Sequence, residues 1–137
     1  MDDYVTTFIG PLLGPMETAT GRPDDVQVFF GKLAARFRDD PAAARKGCLW
    51  VNSLAEFAGR GNVLEVGANA YHKRLYDAFD NALSGGGRTA AESARTLARR
   101  RSRMLAATTF GLWLAARTEA AEAVKLAEAV RAEVRSW

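Results

Sequence analysis

The chain has 137 residues, a formal net charge of +3 and 48% apolar side chains. That length suits one domain with its own hydrophobic core, and the weak charge gives no argument for nucleic-acid binding. The single cysteine, Cys48, excludes an internal disulfide and a cysteine-based zinc cluster.

Taken in chain order, the punctuation is helical. Residues 2–9 predict a helix, with Tyr4, Val5, Phe8 and Leu12 at helical spacing. Gly10-Pro11 and Gly14-Pro15 are expected to kink or break it, and 18–23 reads as a loop. Asp24 is a candidate N-cap, with Gln27 three residues on. Val26, Phe29, Phe30, Leu33, Ala34 and Phe37 then form one apolar stripe. Asp39-Asp40-Pro41 ends this helix and starts a third, over 41–58, with Gly47 inside it as a weak point. Residues 59–61 are a turn. Asn62 with Glu65 repeats the capping pattern ahead of a helix that buries Leu64, Ala68, Tyr71, Leu75, Ala78, Phe79 and Ala82. Residues 84–87 read as a flexible connection. Thr89 with Glu92 opens a helix to about Arg117, roughly 40 Å long. Thr118 is expected to cap a final helix through Glu133. No segment shows strand alternation bounded by hairpin turns. The expected fold is all-α, one helical bundle of about six helices over 1–137. No apolar run approaches about 18 residues and no signal peptide is evident, so a cytoplasmic chain with no membrane contact is expected.

The richest stretch is 46–56, Lys-Gly-Cys-Leu-Trp-Val-Asn-Ser-Leu-Ala-Glu. Cys48, Asn52 and Glu56 are spaced by four, which on one helix makes a polar track. Leu49, Trp50, Leu54 and Phe57 surround it with apolar bulk. A buried helix with a few fixed polar groups is the usual lining of a small-molecule pocket. Catalytic alternatives are weaker. The one histidine, His72, sits beside Lys73-Arg74 with no orienting acid. No Gly-rich phosphate loop or metal spacing occurs, so neither a cofactor nor a metal is expected, and the chain reads as a non-enzyme. Arg99-Arg100-Arg101 and Arg103 spread around a helix as a solvated face. Cys48 is a sensor thiol if Arg45 and Lys46 depress its pKa, or a small buried hydrophobe.

The 46–56 segment resembles the arginine/lysine-glycine-cysteine-leucine segment of the ligand-binding domain of TetR-family transcriptional regulators. Other stretches resemble that domain in the same order. Tyr4 to Met16 are similar to the end of the connecting helix (1–20 in this chain). Phe29-Phe30 match the next helix, and Tyr71 with Leu75 through Leu83 the helix before the flexible loop. Gly111-Leu112-Trp113-Leu114-Ala115-Ala116-Arg117 resembles the end of the first dimer helix, and the final helix the second.

The resemblance implies an effector-binding and dimerisation domain of a transcriptional regulator, such as a repressor. Its last two helices (89–137) would pair with a twin in a four-helix bundle, where charged substitutions at Trp113 or Val130 should weaken the dimer. DNA would be bound only through a helix-turn-helix domain missing from this chain. The expected effector is a small apolar or aromatic molecule, in a pocket without paired charges. Its expected walls are Phe8, Leu12 and Met16 of the first helix, with Phe30, Trp50, Phe57, Leu105 and Trp113. Asn52, Ser53, Tyr71 and Thr109 would supply hydrogen bonds, Asn52 either to a ligand or between helices. A headless module that pairs with a partner regulator, or a stand-alone small-molecule-binding protein, is the alternative.

Overall fold

The computed structural model describes residues 5–61, 63–86 and 91–137, apart from the side chains of Val5 and Phe57. Tyr4, Asn62 and Thr89, expected in the first helix and in two caps, lie outside the described residues. The described residues are helical throughout, with no strand. A π-helical turn, Val5–Ile9, runs into α1 (Gly10–Glu17); then follow α2 (Pro23–Asp39), α3 (Pro41–Lys46), α4 (Leu49–Phe57), α5 (Val63–Leu83), α6 (Glu92–Thr118) and α7 (Ala120–Arg135).

Local chemistry explains most boundaries, and it corrects several expectations. The first helix does not end at Gly10-Pro11. It passes from π to α geometry there, with Pro11 in the first turn of α1 and Pro15 inside the helix. Pro11 comes just after the π-helical turn and has no N–H to donate back into it. The N-cap of α2 is Arg22, not Asp24: Pro23 starts the helix, and the Asp25 carboxylate accepts from the Arg22 N–H at 2.8 Å. Asp40 ends α2 and accepts from the Ala43 N–H at 3.0 Å, which caps α3. Thr118 does not cap the last helix; Glu119 stands at its N-cap, and the Thr118 hydroxyl donates back to the Ala115 carbonyl at 3.0 Å.

The largest departure is in the third helix. The chain breaks after Lys46, where Gly47 adopts φ 74° and ψ −161° and Cys48 is extended. Few residues other than glycine reach that conformation. Cys48 is therefore not on the same helix as Asn52, and the expected polar track dissolves. Cys48 is fully buried, Asn52 half-buried and Glu56 exposed.

The expected α2 stripe is buried in full, from Val26 to Phe37. Phe29 and Phe30 meet Phe79 of α5 at 5.3 and 5.8 Å, the second pair stacked. Trp113 of α6 packs edge-on to Phe37 at 5.0 Å and to Phe8 at 5.7 Å. The last helix lies chiefly on α2, while α6 lies chiefly on α5. The two run antiparallel from their junction, so that Arg101 stacks over the Trp137 ring at 4.6 Å. Trp113 is 2% exposed, which removes it from any surface where a twin could touch it. Between α4 and α5 the Glu65 carboxylate accepts from the N–H groups of Gly59 (2.9 Å) and Gly61 (2.5 Å), which hold its pKa below the usual value. No helix among the described residues is long and apolar enough to cross a membrane.

Candidate ligand cleft

One face of α5 builds the floor of a cleft. Gly67, Ala70, Tyr71 and Arg74 fall at i, i+3, i+4 and i+7, which aligns them on one side of a helix. With Trp50 of α4 and Ile9 of the first helix they enclose about 180 Å³, open to solvent on one side. The small residues make the space. The Trp50 ring lies so close to the Gly67 backbone that a Cβ at that position would overlap it. Tyr71 is buried and backed by Phe110 of α6, stacked at 5.8 Å. A dry cavity of about 150 Å³ is enough for one benzene ring, so the space suits a single aromatic ring or a branched aliphatic group.

Arg74 brings a charge to this cleft. Its Nε donates to Glu17 Oε2 at 2.8 Å and its Nη2 to Glu17 Oε1 at 2.7 Å. The hydrogen bond that Arg74 donates to Glu17 raises the pKa of Arg74, and a guanidinium is in any case always charged. Glu17 is the last residue of α1. A second tie lies beside it: Asn81 Nδ2 donates to the carbonyls of Met16 (2.6 Å) and Thr18 (2.8 Å). The expectation of a pocket without paired charges is thus corrected. The charge was missed because Glu17 and Arg74 are 57 positions apart and only the tertiary fold brings them together.

Of the twelve residues proposed from sequence, Trp50 and Tyr71 line the cleft. Met16, Phe30, Leu105 and Trp113 are core residues. Phe8 and Leu12 are half-buried against that core, with Arg36 stacked over the Phe8 ring at 4.0 Å. The hydroxyls of Ser53 and Thr109 donate to carbonyls four residues back, Leu49 (2.7 Å) and Leu105 (2.8 Å), so each is satisfied by its own helix. Phe57 ends α4, and its side chain is outside the described residues. Asn52 serves the break at Gly47. Its Nδ2 donates to the Lys46 carbonyl at 2.8 Å, and its Oδ1 accepts from Arg117 Nη1 at 3.2 Å. Ile9, Gly67, Ala70 and Arg74 were not proposed. The signal for two of them, Gly67 and Ala70, was the small size of these residues on the Tyr71 face of α5.

The placement of Asn52 sets an expected result. Asn52→Leu removes both bonds and leaves the Lys46 carbonyl without its partner, so it should cost about 1–3 kcal/mol in a denaturant titration. Small-molecule affinity of the folded fraction should stay unchanged. A loss of affinity at unchanged stability would return Asn52 to the ligand site.

His72 lies edge-on to Phe110 at 5.2 Å and is exposed, in a separate shallow groove with Lys73, Tyr76 and Arg103. No group of three or more His, Cys, Asp or Glu side chains among the described residues is placed to hold a metal. No protein-family model, no curated protein and no solved structure matches the chain.

Proposed function

We propose that this chain is the effector-binding and dimerisation domain of a TetR-like transcriptional regulator. The observation that carries the sensing half is the apolar cleft in which Trp50 and Tyr71 meet Ile9 of the first helix. A ligand seated there touches α4, α5 and the segment that leads into α1. It would bias the position of the first helix, and such a bias is how a small molecule shifts a regulator between two arrangements. The resemblance of the 46–56 segment to TetR-family regulators supplies the transcriptional context, and operator contact would fall to a helix-turn-helix outside residues 1–137.

A thermal-shift panel of single-ring aromatics tests the cleft. A ligand at about ten times its Kd should stabilise the chain by about 1.4 kcal/mol, or several degrees for a domain of this size. Ala70→Trp fills the cleft mouth from an exposed position and should abolish the shift. An identical response in that variant, or no response to any ring, would sink the assignment.

The dimerisation half is supported by α6. Met104, Ala107, Gly111 and Leu114 follow one another in steps of three and four and are all exposed, Met104 by 59% and Leu114 by 43%. Gly111 has open space where a Cβ would stand. Light scattering should give about twice the 14.9 kDa chain mass. Leu114→Glu should restore the monomer without unfolding it, since burying an unpaired charge in an interface costs several kcal/mol. The same stripe would serve a headless module that pairs with a partner regulator; a monomer that binds no ring would favour that reading.

A further inference from the structure

The apolar walls of the cleft do not account for Arg74. We propose that the cleft takes a small aromatic carboxylate, whose carboxylate replaces Glu17 on Arg74 and so frees the C-terminal end of α1. This rests on the reading of the cleft as the effector site, and names the ligand class.

Three observations point there. First, Arg74 shares a helix face with Gly67, Ala70 and Tyr71 and borders the same space, so a ring held by Trp50 and Tyr71 places its substituents near the guanidinium. Second, the guanidinium already holds a carboxylate in the two-bond geometry that its planar fork favours. Its Nη1 makes no hydrogen bond to any described residue, and the side chain is 34% exposed, so an approaching carboxylate has a donor to meet first. Third, the exchange conserves charge. An anionic ligand leaves Arg74 paired and releases Glu17 to water, where the 31% exposed carboxylate is already partly solvated. A neutral ring offers Arg74 nothing in return and leaves the Glu17 pair in place. The exchange removes one polar tie from the end of α1 to α5; the Asn81 bonds to the Met16 and Thr18 carbonyls are another among the described residues. Acidity of the ligand would thus decide whether occupancy of the cleft reaches the C-terminal end of α1.

Phenylacetate and its neutral analogue phenylacetamide separate the two behaviours in an NMR titration of the full chain. Both should shift the Trp50 indole N–H signal, and only phenylacetate should shift the backbone amides of Leu13, Gly14, Met16 and Glu17. Glu17→Gln removes the competing carboxylate and should tighten phenylacetate binding about fivefold, the range set by a partly exposed ion pair, with phenylacetamide unchanged. Arg74→Gln should abolish the preference for the acid; Arg74→Lys, which keeps the charge and loses the fork, should weaken it. Equal affinity of both probes in all four proteins would overturn the carboxylate role while the cleft reading stands. No response at Trp50 to either probe would overturn both.

Discussion

Trp113→Ala is expected to cost about 3–5 kcal/mol, the usual penalty for truncating a buried aromatic residue. Trp113 is 2% exposed and joins three elements, with Phe37 of α2 edge-on at 5.0 Å and Phe8 of the first helix at 5.7 Å. A small domain has about 5–15 kcal/mol in all, so this substitution would consume much of its stability. Urea unfolding with far-UV circular dichroism reads the effect directly. The neighbouring Leu114, 43% exposed and about 100° further round the helix, provides the contrast: Leu114→Ala should change stability by no more than about 0.5 kcal/mol. Comparable losses at the two positions would contradict the placement of α6. The contrast also separates folding from association, because a charged residue at 113 would unfold the protomer before it could report on a dimer.

Gly47→Ala is expected to be nearly as damaging, although it adds a single methyl group. Two costs combine. The backbone at φ 74° and ψ −161° is sparsely accessible to any residue with a Cβ, which costs about 1–3 kcal/mol. The new Cβ would also stand 2.7 Å from Asn52 Oδ1 and 3.0 Å from the Arg117 side chain. Asn52 would have to move, and with it the bonds to the Lys46 carbonyl and Arg117, each worth about 1 kcal/mol. A total of about 2–4 kcal/mol follows. Ala substitution of Gly14, whose Cβ would meet nothing within 4 Å and whose φ is not positive, should instead be neutral or slightly stabilising, since it lies within α1. If Gly47→Ala melts like the parent, the break between α3 and α4 is not held by this glycine.

The two predictions bear on the same question of what 46–56 is for. Read as one helix, the segment offers a polar track to a ligand. Broken at Gly47, it delivers Trp50 to the cleft and spends Asn52 on the break. The cleft then owes its polar character to Arg74 and Glu17, residues that neither the segment nor its resemblance to a regulator family singled out.

Much was legible in the chain itself. Helical periods are local, so the apolar stripe of α2, from Val26 to Phe37, and that of α5, from Ala68 to Ala82, are buried as the spacing of three and four requires. Asp40-Pro41 ends one helix and opens the next because proline's fixed φ and missing N–H have the same consequence in any fold. Trp50 and Tyr71 were legible as large aromatic residues on apolar faces, but that pattern did not set them apart from Phe30 or Trp113. What the tertiary structure alone decided was which buried residues border empty space and which fill the core. Phe30, Leu105 and Trp113 have the same composition and periodicity as a pocket wall, yet other side chains close over them. The cleft exists where Gly67 and Ala70 leave volume unfilled next to Trp50, and volume depends on what three helices put opposite one another. Its charge depends on the same meeting. A carboxylate at the end of α1 and a guanidinium on α5 are 57 residues apart along the chain, and no local pattern predicts that they form a pair at 2.7 Å.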